Sequence, residues 1–313
     1  LSTISAALRR LGSPPIGDTS RERRAEAAPR HIPWLRVSPY FLLHLACLCV
    51  IFVGWSPFAV GVAIALYFFR MFAITAFYHR YFSHRAFESS RFFQFVMGVC
   101  GVLAVQRGPI WWASHHRLHH RHSDTTKDLH SPKQHGFWWS HGGWFLSEQG
   151  HVIHWKVAKD LSKYPELVLL DRFHVAVAVL FAFALFGLGE LLASVAPSLG
   201  TNGLQLLVWG FCISTVAAYH ATYTINSLAH VWGRRRYETT DTSRNNFWLA
   251  LLTLGEGWHN NHHRYPVSAR QGFRPTEIDL SYLGLRMLAA CGLVWNLRPV
   301  PASILEEGKR SEG

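Results

Sequence analysis

The stretch PFAVGVAIALYFFRMFAITAFYHRYFSH, residues 57–84, carries one long apolar run, interrupted by a single charge at Arg70, and ends in two histidines, His79 and His84. A bilayer core is crossed by about 20 residues of helix, so residues 58–77 read as a membrane span. His79 then falls on the last turn of that span and His84 beyond its end. Both therefore stand at the membrane surface. Arg70 lies inside the span, where an unpaired charge costs roughly 3 kcal/mol, so it must either snorkel to the interface or find a polar partner in a bundle.

Three further runs have the length to cross: about 39–55, 173–196 and 204–228. The first two spans are joined only through Ser56 and Pro57, which makes a tight hairpin. The turn near Ser56 and the loop 197–203 contain no Lys or Arg, while the N-terminal lead, the segment 80–172 and everything after Arg234 are strongly basic. Basic residues stay on the cytosolic side. The expected fold is therefore all-α and integral to the membrane, with four transmembrane helices as two hairpins and both termini cytosolic. Two shorter apolar runs, 92–105 and 280–294, are too short to span and belong at the interface or against a cytosolic cap.

Composition agrees with this layout. The chain has 313 residues, with 13 Trp, 21 Phe and 10 Tyr against only 16% charged residues. A mean hydropathy of +0.08 is too low for a chain that is nearly all membrane, so a large polar portion accompanies the spans. Lys and Arg outnumber Asp and Glu by 31 to 19, which suits a face held against anionic lipid headgroups. No nucleic-acid motif accompanies that charge. Residues 1–36 show no apolar signal-peptide core and are expected to form a flexible, basic, cytosolic lead; 37–297 form the membrane domain and 298–313 a tail. Cys47, Cys49, Cys100, Cys212 and Cys291 sit in apolar runs and read as buried small residues, not as a disulfide framework.

The 20 histidines are the more unusual feature. Three groups stand out: His79 with His84, then His116, His119 and His120, then His259, His262 and His263. Asn226 and His230 form a fourth element after the last span. Positions i, i+3 and i+4 share a helix face, so each His-x-x-His-His can present its imidazoles together, and Asn226 and His230 share a face likewise. The pair five apart does not share a face of a regular helix. Nine neutral imidazoles exceed what one ion holds, which points to two metals. Nitrogen donors suit iron, zinc, copper or nickel; a structural zinc needs only four ligands. Two irons with open positions could reduce O2 and attack an unactivated C–H bond, with Asn226 holding a water on one of them. Of the remaining histidines, His44 and His220 are expected to hydrogen-bond within the bundle. His130, His135, His141, His151, His154 and His174 are expected to be structural, and His115 and His122 to be bystanders beside the second box.

In these residues the chain resembles the membrane fatty-acyl desaturases of the stearoyl-CoA desaturase-like, delta-9 type. The resemblance is carried by HRYFSH (79–84), HHRLHH (115–120), NSLAH (226–230) and GEGWHNNHH (255–263), supported by SDTTKDLHSP (123–132) and HGFWWSHGGWF (135–145). It implies two Fe2+ ions held by His79, His84, His116, His119, His120, His230, His259, His262 and His263, with Asn226 acting through water. It also implies O2 as co-substrate, a cis double bond as product and a bent acyl tunnel, with Gln106, Trp112 and Thr222 at its bend.

Where animal acyl-CoA desaturases carry an Arg-Asp pair and an Arg-Lys pair near the CoA headgroup, this chain has Ser114-His115 and Glu148-Gln149. Loss of those cations weakens the case for CoA and makes a chain esterified in a membrane lipid the alternative carrier, although Arg107, Arg117 and Arg121 are available to compensate. No haem, flavin or iron–sulfur motif occurs, so a separate electron donor is implied, a ferredoxin or a small haem cytochrome with its reductase. Two rival readings share the histidines: a membrane oxygenase that leaves oxygen in its product, and a metal transporter. The transporter would place ligands along the spans and not beyond their ends.

Overall fold

Inside a bilayer no water satisfies the backbone, so an apolar run closes its hydrogen bonds within itself as helix. The structure, a computed structural model, describes residues 20–28 and 30–310. Among them a short helix α1 (Ser20–Ala27) precedes four helices long and apolar enough to cross a membrane: α2 (Trp34–Val53), α3 (Pro57–Ser83), α6 (Pro165–Val195) and α7 (Gly203–Val231). Between the two hairpins lie α4 (Arg91–Val102) and α5 (Pro109–His122). After them come α8 (Phe247–Leu252), α9 (His259–Arg264), α10 (Leu280–Ala290) and α11 (Ala302–Arg310). A two-residue antiparallel ribbon pairs β1 (Glu88–Ser89) with β2 (Val294–Trp295).

The first hairpin turns on Gly54, whose φ of +65° suits a residue without Cβ. Ser56 then caps α3 by accepting from the Ala59 amide at 3.1 Å, with Pro57 in the first turn. The outward surfaces of the spans are apolar; Leu35, Phe52 and Phe183 are 91%, 86% and 69% exposed, as lipid-facing positions are.

α3 and α7 continue past their apolar runs, because the histidine-bearing turns extend the same hydrogen-bonded ladder. In α3 this extension, Ala73–Ser83, winds as π-helix and is buried along its whole length. Gly101 of α4 lies against the Tyr78 ring there, leaving no room for a Cβ. Arg70 does not snorkel. It is fully buried between α3 and α7, donating to the carbonyls of Leu103 (3.0 Å) and Gly210 (3.1 Å) and to the Ser214 hydroxyl, with its guanidinium 5.3 Å from the Phe181 ring centre.

Some expectations are corrected by the packing. Of the lead expected over 1–36, residues 1–19 and 29 lie outside the described residues. The described part docks: Ala25 is 3% exposed, the His31 carbonyl accepts from the Glu148 amide at 2.9 Å, and α2 already begins at Trp34. Most of the tail is likewise held, as α11, where Ile304 packs with Tyr237 and Phe273. Of the cysteines only Cys212 is buried, while Cys49 and Cys291 are exposed. On a span that faces lipid, a small apolar side chain is as suitable outside as inside.

Candidate metal centre

The centre is built where the ends of α3 and α7 meet α5 and α9. The π-helical winding of α3 closes i→i+5 bonds, so the His84 amide donates to the His79 carbonyl at 3.2 Å. Residues five apart are thereby stacked, and the two rings lie 4.9 Å apart. The geometry a regular α-helix denies to this pair is thus supplied by the helix type.

α5 is oriented from both ends. Asp171 of α6 accepts from the Ile110 and Trp111 amides at 2.8 and 2.9 Å, capping the first turn from a distance. Arg117 donates to the Phe82 and Ser83 carbonyls at the end of α3 and pairs with Asp160 at 2.6 Å, and Arg85 binds the same carboxylate at 2.6 Å. Burial would raise the Asp160 carboxyl, but the two arginines outweigh it and hold it down at about 2. Arg117 is therefore committed to joining two histidine helices and is not available to a substrate headgroup. In α9 the two asparagines turn away from the histidines: Asn260 Oδ1 accepts from the amides of Arg236 and Tyr237, and Asn261 bonds Asn245, Gln271 and Glu277.

All nine histidines singled out by spacing converge, and they divide into two groups. His79, His84, His116, His120 and His262 form one; His119, His230, His259 and His263 form the other. Each His-x-x-His-His is split between the groups. On α5 the i, i+4 pair enters the first and the middle histidine the second; on α9 the assignment is reversed. Within the groups the Nε2 atoms face one another: His84 and His116 at 2.8 Å, His120 and His262 at 2.9 Å, His79 and His262 at 3.0 Å, His230 and His259 at 3.1 Å.

The outward Nδ1 atoms meet acceptors. His119 donates to Asp128 at 3.0 Å, His263 to Asp241 at 2.7 Å and His79 to Glu256; His230 lies 3.6 Å from Asp124. An Nδ1–H given to a carboxylate leaves the Nε2 lone pair directed inward, which is the tautomer a metal needs. Burial would raise the carboxyls of Asp128 and Asp241, yet their histidine partners outweigh it and hold both well below the usual range. Burial, and then the neighbouring imidazoles, hold His116, His120, His259 and His262 well below the ordinary histidine value, so these rings are neutral. His263 Nε2 is buried with no hydrogen-bond partner, a lone pair aimed into the second group. Nitrogen donors only, convergent and partly orphaned, fit a pair of borderline transition-metal ions.

A cavity opens beside the first group, lined by His116, Asn226, Gln106, Trp112 and Thr222 among others. The last three are joined: Gln106 Nε2 donates to Thr222 Oγ1 at 2.9 Å and Trp112 Nε1 to Gln106 Oε1 at 3.4 Å. Val105 and Arg107, on either side of Gln106, have φ of +59° and +65°, a strained backbone pinned by Tyr219 and Tyr78 hydroxyls on their carbonyls at 2.7 and 2.9 Å.

The other histidines stay outside the groups. His115 bonds the Val152 carbonyl at 2.8 Å, and His44 meets His220 at 3.3 Å. His130 is closer in than expected, stacked 4.3 Å from His119 and lining the cavity. The sequence reading missed Asp124, Asp128, Asp241, Glu256 and Gln271. A signal existed for three of them: acidic residues are few, yet Asp124 and Asp128 follow the second box and Glu256 precedes the third.

A profile of the fatty acid desaturase family matches residues 25–284. The chain is 35% identical over 277 residues to the sn-1 stearoyl-lipid 9-desaturase of Anabaena variabilis, covering 88% of this chain and 97% of the relative. It is 35% identical to Delta-9 acyl-lipid desaturase 1 of Arabidopsis thaliana, covering 90% and 89%. It is also 35% identical to Acyl-CoA 5-desaturase AL21 of Anemone leveillei, covering 84% and 78%.

Proposed function

The chain belongs to the fatty acid desaturase family and is an acyl desaturase of the O2-dependent, non-haem kind; from that premise we propose which atoms carry the reaction, on which substrate and with which partners. The first group of five histidines would hold one Fe2+ and the second group of four the other, with Asn226, four residues before His230, holding a water at the second. Bound iron supplies the reduction of O2 and the oxidising power to remove hydrogen from a methylene that no neighbouring carbonyl acidifies. Everything else falls to the protein. Asp128, Asp241 and Glu256 keep the Nδ1 protons in place and the Nε2 lone pairs directed inward. Gln106, Trp112 and Thr222 bend the acyl chain so that one pair of carbons lies beside His116. The apolar walls keep bulk water from the reacting carbons.

The product is a cis double bond, at the delta-9 position, in a chain esterified in a membrane lipid. The carrier assignment is supported by the positions where acyl-CoA desaturases of animals carry cations. Ser114 and His115 are turned to the Trp111 and Val152 carbonyls, Glu148 and Gln149 bring no cation, and Arg117 is engaged by Asp160, which leaves Arg36 and Arg107 as the arginines that line the cavity. The two electrons for each turnover come from a ferredoxin or a small haem cytochrome with its reductase, a reading supported by a sequence in which no haem, flavin or iron–sulfur motif is recognised. Both termini and the centre face the cytosol, on the evidence of the basic residues around them.

The observation that carries this reading is the division of nine convergent imidazoles into two adjacent groups beside a cavity. Expression in a host defective in desaturation, with double bonds located by mass spectrometry, tests it. New monounsaturated chains at the ninth carbon, lost in His262→Ala, are expected. Hydroxylated products in their place would turn the assignment to an oxygenase.

A further inference from the structure

The cavity beside the histidines extends to the start of α2. His116 and Asn226 line one part of it, and Arg36 and Arg107 line another. Arg36 lies on the first turn of α2, next to Trp34 and Leu35, which are 67% and 91% exposed. Tryptophan gathers where a span enters the headgroup layer, and an arginine there turns its charge to the polar side. Arg36 is itself exposed, so the cavity reaches the surface at that level.

Arg107 comes from the turn before α5. Its backbone stands at φ +65°, a conformation open to glycine and strained for arginine, and the Tyr78 hydroxyl holds the turn through the Arg107 carbonyl at 2.9 Å. A side chain held in a strained turn marks a position that function uses. The guanidinium lies 4.8 Å from the centre of the Trp111 ring. Stacking of this kind engages the face of the guanidinium and leaves its N–H edge for a ligand. Burial, and then Arg36, push the group down to about 10, so it is charged at neutral pH. Two cations thus share a cavity whose lining contains no Asp or Glu. Asp171, the carboxylate that acts on Arg107, has its two oxygens taken by the Ile110 and Trp111 amides. A guanidinium withdrawn from water beside a second one is stabilised by an anion, and the planar fork of arginine matches a phosphate.

We propose that Arg36 and Arg107 clamp the phosphodiester of a glycerophospholipid at the mouth of the cavity, while its acyl chain runs inward to the histidines. This rests on the desaturase reading above and gives the lipid carrier its headgroup class. Phosphate and acyl ester share one glycerol in such a lipid, so a phosphate fixed at the mouth brings the ester with it. In coenzyme A a long arm separates the phosphates from the thioester, and a galactolipid has no phosphate at all. The clamp therefore selects phospholipid over both.

The test uses the full-length, iron-loaded protein in an uncharged detergent. Distearoyl phosphatidylglycerol, distearoyl phosphatidylcholine, distearoyl monogalactosylglycerol and stearoyl-CoA are the probes. Binding is measured by native mass spectrometry, and conversion with a reduced ferredoxin and its reductase supplied. Both phospholipids are expected to bind and to be converted in preference to the other two. Arg36→Gln and Arg107→Gln should each weaken phospholipid binding and raise KM about tenfold, the effect of one lost hydrogen bond to a charged group, with kcat, iron content and galactolipid binding unchanged. Arg107→Lys keeps the charge without the fork and should lose less than Arg107→Gln. Arg286→Gln, at an exposed position of α10 outside the cavity, should change nothing. Equal affinity for galactolipid and phospholipid, an equal loss for both in the arginine variants, or a preference for stearoyl-CoA overturns the clamp and leaves the desaturase reading standing. Phospholipid bound through the two arginines with no carrier converted overturns the desaturase reading alone.

Discussion

At the scale of single residues, the centre depends on carboxylates that no ligand motif announces. Asp128 and Asp241 are almost fully buried and each holds one histidine of the second group by its Nδ1–H. Removing their charge while keeping their shape leaves the fold but loosens tautomer and orientation. Asp128→Asn and Asp241→Asn should each lower iron affinity by about 10- to 100-fold, read by competition with a chelator. A pH dependence follows from the imidazoles. In the metal-free protein burial and neighbouring rings hold His116, His120, His259 and His262 well below the ordinary value of 6.5. The unfolded chain takes up protons below pH 6.5 that the folded chain refuses, so stability rises with pH across that interval. Unfolding temperatures of the metal-free protein in detergent should therefore fall steadily as the pH is lowered through 6. A flat profile between pH 7 and 5 would contradict this account of the site.

At the scale of elements, the decisive feature is the π-helical end of α3. The five-residue interval between His79 and His84 is visible in the sequence, and it argues against a shared face on an α-helix. Only the i→i+5 ladder, fixed by burial of all of Ala73–Ser83 against α4 and α5, makes them neighbours. α5 depends on a residue that lies far off in sequence, Asp171. Its replacement by Ala leaves the buried Ile110 and Trp111 amides without acceptors, a loss of about 2 kcal/mol. The expected outcome is a lower unfolding temperature together with reduced retention of metal by His116 and His120. The same substitution at an exposed acidic residue such as Glu306 should change neither.

At the scale of the whole molecule, the proposed topology of four spans would put the α1 and α11 ends on one side of the membrane and the two hairpin turns on the other. In a Cys291→Ser background, Trp55→Cys, at an exposed position of the first turn, should react with an impermeant maleimide only from the face opposite the one at which a protease reaches the α11 end. Labelling from the same face would require a different number of crossings. The bundle itself was legible: hydropathy marks four helices because the bilayer leaves the backbone no alternative. The nine histidines were legible too, since their spacing on helices and their place at span ends follow from local geometry.

What the sequence determined by itself, then, is whatever depends on short range: which runs cross, where the basic faces lie, and which histidines stand together at the membrane surface. The division of the histidines into five and four was decided by tertiary structure, because each box straddles both groups and only the crossing of α5 with α9 shows which ring faces which. The carboxylates behind the rings, the burial of Arg70 and the meeting of Arg36 with Arg107 at the cavity were decided in the same way. Apart from Asp128, nine residues from His119, each depends on residues tens to hundreds of positions apart, such as Arg70 with Ser214 or His79 with Glu256. Hydropathy and helical period carry no information at that range.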